Sequence, residues 1–202
     1  MTPVKAPEDT RNRILQTAFE EIHKNGFQGS SINQIVEEAG ITKGALFHHF
    51  KSKKELGYAV IDEIIHGMIK EEFIDTLNDS SDPIQDLKNL ILTNRKQAWE
   101  DPSHLCNGCP LNNLAQEMSP LDEGFRTRIE GVFTEWRACF AKAFKNGIKA
   151  GTVAPTVSPE STAAFLVSAF EGIVGTAKSA QNRDVLNHSV DGFISYLDSL
   201  RP

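Results

Sequence analysis

A chain of 202 residues with 40% hydrophobic and 24% charged side chains has the make-up of an ordinary globular protein. At this length folding removes about 70% of the unfolded surface from water, so neither a disulfide framework nor a metal is needed for stability. The net charge of −6 excludes a broadly basic nucleic-acid coat, no apolar run reaches the length of a membrane span, and MTPVKAPEDT lacks a signal-peptide core, so the expected location is cytoplasmic.

Taken in chain order, the first eight or so residues are expected to lack order. Ile14, Leu15, Ala18, Phe19 and Ile22 then form one apolar stripe of a helix that should stop at Gly26. In GSSINQIVEEAG, Ser31 and Gln34 have the spacing of a capping box, Ile35, Val36 and Ala39 make the buried face, and Gly40 ends the helix. A third short helix is expected from about Thr42 to Phe50, burying Leu46 and Phe50. Ser52 and Glu55 make a second capping box that opens a long helix through Tyr58, Ile61, Ile65, Met68 and Phe73. Further helices are expected over Asp82–Glu100, from Pro110, over Leu121–Ala150, over Pro159–Gln181 and over Arg183–Leu200. Loops fall at 78–83, 101–110 and 151–159. No stretch alternates like a strand. The expected fold is all-α: a three-helix N-terminal domain over residues 1–55, then a bundle of about six helices over 56–202.

Charge is distributed unevenly. The first 57 residues sum to +1 and the remainder to −7, and residues 42–54 contain four lysines and no acid. A locally basic patch on an acidic chain suits docking to a polyanion. Two short helices joined through AGIT, with Gly40 at the bend, match a helix-turn-helix, whose second helix enters the DNA major groove. With Leu46 and Phe50 turned inward, Lys43, Gly44, Phe47 and His48 face outward. Gly44 admits close backbone approach, Lys43 reaches a phosphate or a guanine edge, and Phe47 and His48 cover a thymine methyl or a sugar. Helix starts near Ser31 and Ser52 offer backbone amides to phosphate, with Lys53 beside the second. The competing reading of KSKKE is a solvated helix start. For His48 and His49 it is a metal pair, disfavoured because adjacent helical side chains diverge by about 100°.

Residues 11–56 resemble the DNA-binding domain of the TetR family of bacterial transcriptional regulators, through RNRILQTAFEEIHKNGF, SINQIVEEAGITKGALFHHF and SKKEL. The resemblance implies a homodimer reading a palindromic operator, and a C-terminal bundle that dimerises and binds a small effector whose arrival lowers DNA affinity. By position it implies DNA contacts from Thr42, Lys43, Gly44, Phe47, His48, His49 and Lys53, with Ser31 and Asn33 on the neighbouring helix. The family commonly has tyrosine where this chain has Phe47, which cannot donate a hydrogen bond to phosphate but can pack on the sugar–phosphate edge.

The chain has three cysteines, Cys106, Cys109 and Cys139, the first two in CNGC. No βαβ pattern accompanies that CxxC, and only His104 offers a third zinc ligand, so neither thioredoxin-like chemistry nor zinc is expected. Cys109 is either a small hydrophobe opening a buried helix or a thiol of lowered pKa, near a helix start, that senses oxidants or electrophiles, with a disulfide to Cys106 as one product. The run GCPLNNLAQE resembles a stretch of NemR-like regulators in which this cysteine can be the reactive one. Trp99 and Trp136 are candidates for the effector pocket, although spacings of three and four among Phe133, Trp136, Phe140 and Phe144 suit plain core packing. The last two helices carry a broad apolar face and small residues, in AAFLVSAFEGIVGTAKSA with Gly172 and Gly175, and are the expected dimer seam, two from each chain making a four-helix bundle, alternatively an interface within one chain. No catalytic set, cofactor motif or metal site is apparent. The rival function is a helical redox or metal-binding protein using CNGC.

Overall fold

The computed structural model describes residues 7–100 and 102–202, with side chains described for 9–97 and 105–202. Of the expected disordered start, residues 1–6 fall outside this range, as do the Trp99 and His104 side chains, whereas Pro7 and Glu8 open the first helix. Every regular element among the described residues is helical: α1 Pro7–Gly29, α2 Ile32–Glu38, α3 Lys43–His49, α4 over 53–77, α5 Pro83–Glu100, α6 Pro102–Asn107, α7 Pro110–Met118, α8 Glu123–Ala150, α9 Pro159–Ala180 and α10 Arg183–Asp198. No helix among the described residues is long and apolar enough to cross a membrane.

Local chemistry accounts for most boundaries. Gly26 interrupts α1 with φ 77°, a left-handed conformation that glycine adopts without steric cost. Ser31 Oγ, Thr42 Oγ1 and Ser52 Oγ each accept the backbone N–H three residues on, capping α2, α3 and α4. At the second expected capping box, Glu55 reaches back one residue further than a capping box requires and accepts the Lys51 amide at 3.1 Å. The first is one-sided, because Gln34 donates to Glu38 instead. Gly40, φ 61°, makes the bend between α2 and α3.

Two departures from expectation stand out. Within α4 the turns widen to π geometry at Val60–Ile65 and Lys70–Ile74. The expected loop over 101–110 contains a helical turn, α6. Neither has a signal in the apolar pattern, since a π turn and a single short helix are set by what packs around them.

Compactness groups the residues into two units. One takes in the chain up to Gly67 together with Asn113–Glu130, and the other Met68–Asn112 with Gly131–Pro202. The first unit is built on Ile14, Leu15, Ala18, Ile22, Ile35, Leu46, Leu56 and Phe125, all buried. Gly57 has to be glycine there: a Cβ on it would lie 2.6 Å from Phe27 and 2.8 Å from Phe125, whose rings pack at 4.6 Å between centroids. The second unit has an aromatic core in which Phe73 meets Trp136 at 4.4 Å and Phe170 at 5.0 Å, with Phe140 beside them. Ion pairs Lys88–Asp198 and Arg201–Asp82 tie its helix ends together on the outside.

Candidate functional site

In the first unit, α3 has the two faces read from its pattern. Leu46 is wholly buried and Phe50 nearly so, while Phe47 keeps 46% of its surface exposed. Thr42, Lys43, Gly44 and His48 are exposed with it, and His49 is half-buried, its ring edge-on to His48 at 5.2 Å. Ser31 and Asn33 are exposed at the start of α2. A Cβ on Gly44 would find only an ordinary contact with Thr42, so nothing inside the chain requires glycine there.

The three lysines after Phe50 divide. Lys51 is exposed. Lys54 pairs with Asp122 at 2.8 Å, and Asp122 also accepts the Tyr58 hydroxyl at 2.6 Å and the Phe125 amide at 3.1 Å. Three donors hold that carboxyl well below the usual range, the Lys54 ammonium foremost. Lys53 is half-buried, lies 4.7 Å over the Phe27 ring, and donates to the carbonyls of Ser30 at 2.7 Å and Gln28 at 3.4 Å. Its burial lowers its pKa, against the attraction of Glu117 and Glu21. Lys53 therefore braces the segment leading into α2, a role its place in KSKKE did not reveal.

Glu117, which no sequence pattern singles out, braces the same segment. Its carboxylate accepts the amides of Phe27 at 2.8 Å and Gln28 at 2.7 Å, just past the Gly26 kink, where the helical ladder leaves those donors unused. Arg11 adds a clamp from α1, paired with Glu63 through two bonds and set 5.2 Å over Phe50. The α2–α3 pair thus stands on a frame fixed by charge-assisted bonds.

The second unit contains the cysteines. All three are free thiols. Cys106 is exposed, with its thiol directed at Gln181 Oε1, 2.8 Å away; Cys139 is buried against the Ile74 carbonyl. Of the two readings of Cys109, the buried one fits and the lowered pKa does not. Although the residue retains some surface, its sulfur turns inward and donates to Glu171 Oε1 at 3.2 Å. Burial and the adjacent carboxylate push the thiol well above its ordinary value, outweighing the amides of Leu111 and Asn112. Glu171 is itself 7% exposed and pushed up to about 7, chiefly by burial.

Trp136, expected at a pocket, is wholly buried among Phe73, Phe133, Phe140 and Phe170, and its indole N–H has no hydrogen-bond partner. Glu171 was not singled out from the sequence. Its one signal is a charge within the apolar run AAFLVSAFEGIV.

Both parts of the chain match known families. Residues 14–60 match the bacterial regulatory proteins of the tetR family, and residues 86–193 the tetracyclin repressor-like C-terminal domain. The chain is 27% identical over 182 residues to the HTH-type transcriptional repressor DhaR of Mycobacterium sp. strain GP1, covering 88% of this chain and 86% of that one. It is 34% identical over 142 residues to the HTH-type transcriptional regulator YxaF of Bacillus subtilis, 69% of this chain and 72% of that one. A TetR transcriptional regulator from Chloroflexus aurantiacus superposes with a TM-score of 0.83 at 26% identity, over 95% of this chain and 96% of that one. Reduced NemR of E. coli is similar in fold, with a TM-score of 0.74 at 22% identity over 92% and 95% of the two chains. This chain belongs to the TetR family and is a transcriptional regulator.

Proposed function

We propose that this regulator is a homodimeric repressor, present in the cytoplasm, that binds a palindromic operator and releases it when a small molecule enters the C-terminal domain. In this reading residues 1–55 are the DNA-binding domain and residues 56–202 the effector and dimer domain. Thr42, Lys43, Gly44, Phe47, His48 and His49 meet the groove, and Ser31, Asn33 and Lys53 meet flanking phosphates. The observation that supports it best is the face of α3: an exposed Phe47 set among Lys43, Gly44 and His48, while Leu46 is buried. An exposed aromatic among small and basic residues suits packing on sugar and thymine methyl groups. DhaR, similar over most of its length, is a repressor by name.

The dimer seam is proposed on α9. Ser161, Ala164, Phe165, Ser168, Gly172, Thr176 and Ser179 are exposed at helical spacing, Phe165 by 50%, and a Cβ on Gly172 would meet nothing within 4 Å. A stripe of small side chains with one aromatic lets a second copy approach closely. Cys106, Cys109, Trp99 and Trp136 are proposed to belong to the effector-responsive region, with Cys109 as a hydrogen-bonding thiol in place of a thiolate.

Selection of genomic DNA fragments by the purified protein, followed by sequencing and footprinting, tests the reading. One short palindrome should be enriched, and a mismatched base pair should cost about 1–3 kcal/mol. Absence of any enriched sequence at moderate salt would refute it.

A further inference from the structure

Glu171 is a buried acid without an adequate partner. Its Oε1 accepts one bond, from the Cys109 thiol, which is a weak donor, and its Oε2 is buried with no hydrogen-bond partner. The charged side chain that acts on it is Glu72, of the same sign, which makes ionisation harder. Native folds rarely leave a carboxylate so placed, because desolvation of the charge costs several kcal/mol unless a cation or strong donors replace the water. Its neighbour Phe170 lies 5.7 Å from the Trp136 ring, whose N–H is a second buried polar group without a partner. Oε2 of Glu171 is thus an unused acceptor on the helix that carries Phe170 into the aromatic cluster. Phe170 and Cys109, beside Glu171 in sequence and in space respectively, each keep part of their surface exposed.

We propose that the Glu171 carboxylate is the recognition group for the effector, and that the effector presents a protonated amine or amidinium to Oε2 while its apolar body packs against the half-exposed Phe170. The assignment rests on the effector-released regulator reading given above. A cation supplies the charge and the N–H donors that the chain itself withholds. Neutral ligands recover only the weaker hydrogen bond, and anions are repelled. In the absence of ligand the carboxyl, poised near neutrality, exists partly as the acid, and the cation draws it to the carboxylate.

The test uses the full-length protein and six probes: 2-phenylethylamine and benzamidine, their neutral counterparts 2-phenylethanol and benzamide, and the anions phenylacetate and benzoate. Binding is followed by tryptophan fluorescence and by calorimetry. The two cations should bind about tenfold or more tightly than their neutral and anionic counterparts. Glu171→Gln should abolish that preference, and Glu171→Asp should retain it, with melting curves confirming that both variants fold. Equal binding of cation and neutral counterpart, cation binding unchanged in E171Q, or no binding of either cation each overturns the proposal. Operator selection on the same wild-type preparation separates the two claims. A selected palindrome without a cation preference leaves the regulator reading intact and removes this one, whereas no selected sequence removes the regulator reading itself.

Discussion

Replacing Glu171 by glutamine should change how the stability of the protein depends on pH. In the folded chain this carboxyl titrates near 7, against an ordinary value of 4.5, because of its burial and the like charge of Glu72, which the Cys109 hydrogen bond only partly offsets. An acid whose folded pKa is raised takes up protons on folding. Its contribution is therefore most favourable below about pH 4.5, declines as pH rises and is gone above about pH 7. The interval corresponds to about 3 kcal/mol, since each pKa unit is about 1.4 kcal/mol. Glutamine keeps an oxygen for the Cys109 thiol, but it puts an unpartnered amide where Oε2 lies, at a cost of about 1–3 kcal/mol. That cost is the same at every pH, so the slope is the clean quantity. Urea denaturation of wild type and E171Q should show the variant gaining about 3 kcal/mol relative to wild type between pH 4.5 and pH 8. In melting experiments that is a relative shift of about 6–12 °C for a chain of this size. Parallel pH profiles would show that Glu171 titrates normally, and the account of its burial would be wrong.

The remaining predictions concern other parts of the molecule. Lys43→Ala should weaken operator binding across sequences and lower the salt slope by about one, while Phe47→Ala should reduce discrimination at the base steps it covers, both read by titration over a range of salt. Gly57→Ala should destabilise the first unit by about 1–3 kcal/mol, because its Cβ would lie 2.6 Å from Phe27, and thermal unfolding measures the loss. At pH 8 an alkylating reagent should modify exposed Cys106 well before Cys109, whose thiol is buried against Glu171; peptide mass spectrometry giving the reverse order would restore a reactive Cys109 thiolate. Phe165→Glu should convert a dimer to monomer in sedimentation, and an unchanged mass would place the seam elsewhere.

Much of the N-terminal architecture was legible from the chain alone, because its determinants act over a few residues. Ser31, Thr42 and Ser52 cap helices through the amide three positions on, Gly26 and Gly40 supply the left-handed bends, and the spacing of Leu46 and Phe50 says which face of α3 is buried and hence that Phe47 is left outside. The all-α class followed from the same periodicity, along with the family resemblance of residues 11–56. What only the tertiary structure decided are the meetings of groups far apart along the chain. Glu117 reaches the Phe27 amide from 90 residues away, Lys54 and Tyr58 converge on Asp122, and Cys109 meets Glu171 across 62 residues. Periodicity reports that a side chain faces inward without saying what it faces. The position of Cys109 before a helix allowed a lowered pKa, and burial, with the Glu171 carboxylate beside it, pushes the thiol the other way, because the electrostatics of a buried group are set by its surroundings in space rather than by its neighbours in sequence.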